Sequence, residues 1–176
     1  YLDRRGAPEL RGALAAYLNR VRGTAADAND IIVCNGFAQA IDLVTQLVKS
    51  RGGRRIAVED PGDADGRGAV LRHGLTAVPL PVDGGGISIE ALRASEADAV
   101  FLTPAHHYPT GAVMGPDRRA ELLAWADERH ALILEDDYDA EYRYDREPIG
   151  AIHGLAPERV IYAGSASKTL APGLRL

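Results

Sequence analysis

The stretch RRIAVEDPGDADGRGAVLRHGLTAVPLPV, residues 54–82, contains one complete strand–helix–strand unit. RRIAVED (54–60) and TAVPLPV (76–82) are short and rich in aliphatic residues, which favours strands. Between them, ADGRGAVLRHG (64–74) has the spacing of a helix and ends at a glycine, a common residue at helix C-termini. The unit predicts a parallel pair, because parallel strands are joined by a long crossover connection.

The same alternation continues on both sides of this unit. Further strands are predicted at DIIVC (30–34), ADAVFLTP (97–104), ALILEDDY (131–138) and RVIYAGS (159–165). Helices are predicted at PELRGALAAYLNRVR (8–22), GFAQAIDLVTQLVKS (36–50), SIEALRAS (88–95) and PDRRAELLAWADERH (116–130). Such alternation predicts an α/β fold in three layers, with a mostly parallel sheet covered by helices on both faces. We treat residues 1–176 as one domain, read as a fragment of a longer protein.

Helical spacing also predicts which residues share a helix face. On the first helix, Leu10, Ala13, Leu14, Tyr17, Leu18 and Val21 fall on one face. The second is expected to bury Ile41, Val44 and Val48. The glycine run DGGGIS (83–88) lacks the long helix that follows a phosphate-binding loop, so we interpret it as a plain turn.

The composition is that of a globular protein, with 46% hydrophobic and 26% charged residues. A net charge of −5 argues against a nucleic-acid-binding surface on this segment. The single cysteine, Cys34, excludes an internal disulfide and favours a reducing cytoplasm. The sequence has no membrane-length apolar run, and so predicts no membrane partner.

Lysine is rare in this sequence. Of the 20 basic side chains, only Lys49 and Lys168 are lysines. Lys168 lies among small residues in GSASKTLAPGLRL (164–176). Arginine suffices for surface charge, whereas a deprotonated lysine amine can attack a carbonyl and form a Schiff base. Lys168 is therefore a candidate nucleophile, and an ordinary surface lysine is the alternative.

Polar residues follow the predicted strands at their carboxyl ends, where ligands of parallel sheets bind. They are the glycine turn at 35–39, Tyr108 in the loop 103–111, the acids Glu135, Asp136 and Asp137 with Tyr138, and Ser165, Ser167, Lys168 and Arg175. A turn that opens a helix can hold a phosphate with its free N–H groups. Together these groups match the needs of pyridoxal 5′-phosphate, which requires an amine, an acid at its ring nitrogen and donors for its phosphate.

Several segments resemble a known family. They are YLDRRGAPELRGALAAYL (1–18), VEDPG (58–62), TPAHHYPTG (103–111), ILEDDYDAEYRY (133–144) and SASKTLAPGLRL (165–176). They are similar to the pyridoxal-phosphate-dependent fold-type-I aminotransferases, and more narrowly to the aminotransferase-like domain of MocR-type transcriptional regulators in the GntR superfamily. HHYPTG and EDDYDAEYRY are typical of that branch, since ordinary aminotransferases usually carry asparagine where Tyr108 stands.

The resemblance implies a role for individual residues. Lys168 would hold the cofactor as a Schiff base, and Asp136, with Asp137 as the alternative, would face the pyridine nitrogen. Tyr138 would lie near the phenolic oxygen of the cofactor. The phosphate would be bound by Ser165, Arg175 and the main chain of Gly36, Phe37 and Ala38. His106, His107 and Tyr108 would flank the ring; neither histidine has the spacing of a metal ligand, so no metal site is predicted.

Two departures from the family bear on function. Asp63 stands where an aromatic ring usually stacks on the pyridine, which suggests weaker binding or a substitute such as Tyr108. The C-terminal small domain and the N-terminal winged helix-turn-helix of the regulators are not in this sequence. The resemblance also implies a homodimer, because the phosphate site of this fold commonly borrows residues from a second subunit.

Two functions remain open from the sequence. One is an effector-sensing domain of a regulator, in which an amine or amino acid displaces Lys168 and DNA is bound only through the absent N-terminal domain. The other is an aminotransferase acting on an amino acid or related amine, in which Lys168 moves the substrate proton. A third interpretation is a domain that keeps the fold without the cofactor.

Overall fold

The computed structural model describes residues 3–139 and 149–165. Five helices of this part are α1 (Pro8–Arg22), α2 (Phe37–Ser50), α3 (Ala64–Arg72), α4 (Ile89–Ala94) and α5 (Pro116–Arg129). Its six strands are β1 (Arg55–Asp60), β2 (Thr76–Asp83), β3 (Gly86–Ile87), β4 (Ala99–Leu102), β5 (Leu132–Asp137) and β6 (Val160–Gly164). A short 3-10 helix covers Ile152–Gly154. None of the helices described is long and apolar enough to cross a membrane.

The strands form one sheet in the order β3-β2-β1-β4-β5-β6. Five neighbouring strands of this sheet, β2, β1, β4, β5 and β6, pair in parallel. The two-residue β3 pairs antiparallel with β2. The predicted parallel unit at 54–82 is confirmed, with Arg55 in register with Thr76. Within the turn predicted at 83–88, Gly84 and Gly85 make the tight connection between β2 and β3, while Gly86–Ile87 form β3.

Each face of the sheet packs against helices, which confirms the three layers. On one face, α4 and α5 bury Leu92, Leu122 and Trp125 against strand residues such as Val100 and Ile133. The opposite face packs α2 and α3 against the neighbouring strand positions, in the cluster of Ile41, Val44, Val48, Val70, Ile56, Phe101 and Leu134. Successive strand residues point to opposite faces, so each buried strand must be apolar throughout.

One expectation about the N-terminal region, the strand at 30–34, is wrong. Residues 30–34 form no strand in the described structure; a single main-chain hydrogen bond, from Val33 to the carbonyl of Arg5 (2.8 Å), joins them to a distant segment, and the others are local turns. The buried face of α1 carries Arg11, Ala15 and Arg22. Four residues of its predicted apolar face, Leu10, Leu14, Tyr17 and Leu18, line an open groove of about 530 Å³ together with residues 31–34 and Ile161.

Candidate functional site

A cavity of about 680 Å³ lies beyond the carboxyl ends of four neighbouring parallel strands, β1, β4, β5 and β6. Its lining includes seven residues that the resemblance selected, namely Gly36, Phe37, Ala38, Tyr108, Asp136, Tyr138 and Ser165. Asp63, Asp65 and Arg72 also line it, and Arg72 is the one cationic side chain among the lining residues described. The fold therefore brings five separate segments of the sequence to one place.

The start of α2 supplies main-chain donors to this cavity. Gly36 precedes the helix with φ 77°, a left-handed conformation that favours glycine. No side chain caps this helix start. The first N–H groups of a helix have no partner within the helix, and they carry the positive end of its dipole. Phe37 and Ala38 thus offer N–H groups suited to an anion such as a phosphate.

The two adjacent acids at the end of β5 have different surroundings. Asp136 lines the cavity, where burial and then the carboxylates of Asp137 and Asp63 raise its pKa well above the ordinary value. Asp137 accepts hydrogen bonds from Arg22 Nε and from the hydroxyl of Tyr162, and each bond is 2.6 Å long. The side chains of Arg22 and Asp137 are both only 2% exposed. Asp137 thus belongs to a buried ion pair, whereas Asp136 lies in the cavity lining, where the protonated form is favoured.

Aromatic residues form one side of the cavity. The rings of Tyr138 and His106 stack with centroids 6.1 Å apart, and Tyr108 meets Tyr138 edge-on at 6.4 Å. His106 Nδ1 lies 2.7 Å from a carboxylate oxygen of Asp139. Burial, followed by the nearby charge of Asp139, raises the pKa of Tyr138 above its ordinary value. The phenol of Tyr138 is therefore protonated and able to donate a hydrogen bond.

Asp63, which replaces the expected aromatic residue, has a structural role. Its carboxylate caps α3 by accepting hydrogen bonds from the N–H groups of Asp65 (3.2 Å) and Gly66 (2.7 Å). Tyr108 is the aromatic ring that is both in the cavity lining and well exposed, at 55%. A ring for stacking is thus available on the neighbouring loop.

His107 has a different position from Tyr108. Its side chain is buried and is not among the residues that line the cavity, so its direct contact with a cofactor stays a prediction. His107 Nε2 lies 3.5 Å from an oxygen of Glu59. Burial lowers the pKa of His107, against the opposing effect of the Pro61 carbonyl.

The sequence analysis did not single out Glu59, although it lies near the end of β1 like the acids at the end of β5. Its side chain is only 6% exposed. Burial, opposed by hydrogen bonds from Thr103, raises its pKa to about 7. Asp136 was predicted as a site residue because it is an acid at the carboxyl end of a buried strand, and the same criterion would have selected Glu59.

The raised pKa of Glu59 predicts a pH-dependent difference between wild type and Glu59→Gln. Folding favours the protonated acid, so the wild type should lose stability relative to the variant as pH rises from about 4.5 to about 7. The change should approach 3 kcal/mol, since one pKa unit corresponds to about 1.4 kcal/mol. Urea unfolding of both proteins at pH 5 and pH 8 measures it. An equal difference at the two pH values would contradict the assignment.

Two predicted site residues, Lys168 and Arg175, lie outside the described residues. In the part of the chain that is described, no group of three or more His, Cys, Asp or Glu side chains could hold a metal ion. The groups that line the cavity are main-chain N–H groups, hydroxyls, carboxyl groups, the guanidinium of Arg72 and aromatic rings.

Known proteins are similar to this chain in sequence and in fold. The chain is 36% identical over 172 residues to YdeL of Bacillus subtilis, an uncharacterized HTH-type transcriptional regulator, with 97% of this chain and 37% of that protein covered. It is 37% identical over 172 residues to MocR of Rhizobium meliloti, a probable rhizopine catabolism regulatory protein, covering 97% and 35%. The chain thus spans little more than a third of these relatives.

The crystal structure of kynurenine aminotransferase from Pyrococcus horikoshii matches 99% of this chain and 45% of its own, with TM-score 0.87 and 31% identity. The fold is accordingly that of the pyridoxal-phosphate-dependent fold-type-I aminotransferases. The family model described as aminotransferase class I and II matches residues 1–176, the whole sequence given. The chain therefore belongs to the aminotransferase class I and II family.

Proposed function

We propose that this chain is the pyridoxal 5′-phosphate-binding, effector-sensing domain of a MocR-type regulator of the GntR superfamily, with the cofactor attached covalently to Lys168. The cavity carries the proposal, because seven residues selected by the resemblance line it together. The family supports the cofactor, and the Pyrococcus enzyme was solved in complex with PMP. When bound, this cofactor supplies an electron-accepting ring and an aldehyde that combines with amines.

The described residues have distinct tasks in this proposal. The N–H groups of Phe37 and Ala38 bind the phosphate together with the hydroxyl of Ser165, and Arg175 is predicted to join them. Tyr138 donates its phenolic proton toward the phenolic oxygen of the ring. Tyr108 lies against the ring face in place of the aromatic residue that Asp63 replaces.

Asp136 controls the proton at the ring nitrogen. Burial and then the carboxylates of Asp137 and Asp63 raise the pKa of its carboxyl group in the free protein, which favours the protonated form. With the cofactor bound, the Asp136 carboxylate would face the pyridine nitrogen and stabilise a proton there.

Regulation is preferred over catalysis because curated relatives at 36% and 37% identity are named as regulators. In this proposal an amine or amino acid competes with Lys168 for the cofactor. The resulting change is passed to a DNA-binding module elsewhere in a homodimeric, cytoplasmic protein. Aminotransferase activity on an amino acid or related amine is the second candidate, favoured by 31% identity to the Pyrococcus enzyme.

The decisive test is covalent capture of the cofactor. Pyridoxal phosphate added to the full-length protein should give a new absorption band, and borohydride reduction followed by peptide mapping should place the adduct on Lys168. Lys168→Ala is the control and should give no adduct on this chain. A wild-type protein without the band, or with an adduct on Lys49, would refute the proposal.

A second measurement separates sensor from enzyme. Amines and amino acids are screened for two readouts on the full-length protein, a change in DNA binding and turnover with a keto acid. A sensor should show amine-dependent DNA binding without turnover. Rapid turnover with no effect on DNA binding would favour the aminotransferase.

A further inference from the structure

Glu59 lies near the end of β1 and is not among the residues that line the cavity. One of its carboxylate oxygens, Oε2, accepts two hydrogen bonds from Thr103, one from the N–H group (3.0 Å) and one from the hydroxyl (2.8 Å). Thr103 directly follows β4, the strand that pairs with β1. Glu59 thus joins the carboxyl ends of two adjacent strands.

Thr103 extends this connection to the cavity lining. Its hydroxyl oxygen accepts a hydrogen bond from the N–H group of Tyr108 (3.3 Å) while its proton goes to Glu59. A hydroxyl can donate one bond and accept another, so both contacts are satisfied together. A continuous path therefore runs from the Glu59 carboxylate through Thr103 to the backbone of Tyr108.

The rest of the loop is held by His107. Its Nδ1 lies 2.8 Å from the hydroxyl of Thr110, and its backbone N–H donates to the carbonyl of Ala112 (2.8 Å). The other ring nitrogen of His107 is 3.5 Å from Glu59. The conformation of the loop 103–112 is therefore held by hydrogen bonds of the buried residues Thr103 and His107, the first of them to Glu59. The side chain of Tyr108 lies on the exposed side of this loop.

Burying the carboxyl group of Glu59 costs free energy that packing alone does not require. Burying it without full hydrogen bonding is unfavourable, and its second oxygen, Oε1, has no hydrogen-bond partner among the described residues. An apolar side chain would fill the same space without that cost. What an apolar side chain cannot do is accept the two hydrogen bonds of Thr103.

We propose that Glu59 is a positioning residue of the cavity, which through the Thr103 hydroxyl fixes the backbone of Tyr108 and so places the Tyr108 ring toward the bound cofactor. The proposal deepens the proposed function and rests on it for the identity of the ligand. The positioning itself is a property of the cofactor-free protein, so it can be measured separately.

The test is hydrogen–deuterium exchange of peptides covering 103–112 in the cofactor-free, full-length protein at pH 6. Thr103→Val and Glu59→Ala should each speed exchange in this loop about fivefold or more, as expected for loss of a hydrogen bond. Glu59→Gln keeps a carbonyl acceptor and resembles the protonated acid, so it should stay within about twofold of wild type.

Thr45→Val is the matched control. Thr45 is a fully buried threonine on α2, and its hydroxyl has no hydrogen-bond partner among the residues described. It undergoes the same chemical change without touching the path to Tyr108, so exchange in 103–112 should not change. Peptides from β6 report any general loss of stability.

Titration with pyridoxal phosphate, followed by absorbance, is the second arm. Thr103→Val and Glu59→Ala should weaken binding about tenfold, with Glu59→Gln close to wild type. If the wild type binds no cofactor, the proposed function fails, and the exchange data still decide the positioning. Unchanged exchange in 103–112, an equal increase in β6, or failure of Glu59→Gln to retain protection would each overturn the proposal.

Discussion

Arg22→Ala is expected to lower the free energy of unfolding by about 3–5 kcal/mol, the usual cost of removing one partner of a buried ion pair. Arg22 Nε lies 2.6 Å from Asp137, and both side chains are nearly inaccessible to water. Without the guanidinium, Asp137 would keep a buried charge beside the hydroxyl of Tyr162. The pair also ties the end of α1 to β5, so its loss should loosen the N-terminal helix.

Urea unfolding, followed by the fluorescence of the buried Trp125, measures this effect. Arg93→Ala is the matched control, because Arg93 also lies 2.6 Å from a carboxylate, that of Glu128, but the two side chains are 44% and 58% exposed. Exposed pairs contribute little, so the control should lose less than about 1 kcal/mol. Equal losses in the two variants would show that the buried Arg22–Asp137 pair stabilises the fold no more than an exposed pair does.

Asp136→Asn is expected to weaken binding of pyridoxal phosphate about 1,000-fold. The expected loss corresponds to removing one partner of a buried charge pair, about 4 kcal/mol. Asparagine cannot supply the proton to the ring nitrogen or carry the charge that remains. The stability of the cofactor-free protein should not fall, because the raised pKa shows that folding already disfavours the charged form of Asp136.

Asp137→Asn provides the contrast, since the same change one residue later removes the charge paired with Arg22. It should destabilise the fold, and any loss of cofactor binding should follow from unfolding. Binding is measured by equilibrium titration and stability by urea unfolding of the same samples. If Asp137→Asn abolished binding in a stably folded protein while Asp136→Asn bound normally, the roles of the two acids would be exchanged.

Local sequence signals predicted most of the secondary structure. The helix predicted at 8–22 has those bounds as α1, and Pro116 begins α5 as a proline in the first turn of a helix should. These features depend on residues close together in sequence, such as a proline at a helix start or an apolar residue at each turn. The parallel order of the strands follows from the same alternation, because each crossover helix leaves little choice of direction.

Other features depended on residues far apart in sequence. Residues 30–34 have the composition of a strand, yet a strand requires a neighbour, and the described structure provides none. Helical spacing identified the apolar stripe of α1, but the face that packs carries Arg11 and Arg22. Arg22 is buried there because Asp137, 115 residues away, neutralises its charge.

By itself, the sequence determined the α/β fold, the family and the segments that meet at the cavity, since motif residues and periodicity are local properties of the chain. Tertiary structure alone decided which of two adjacent acids faces the cavity. Neighbouring strand residues point to opposite faces of the sheet, so the side chains of Asp136 and Asp137 must point in opposite directions. Arg22 lies on the side of Asp137, which leaves Asp136 facing the cavity. The tertiary structure also revealed Glu59, which accepts two hydrogen bonds from Thr103, the residue directly after the strand that pairs with β1.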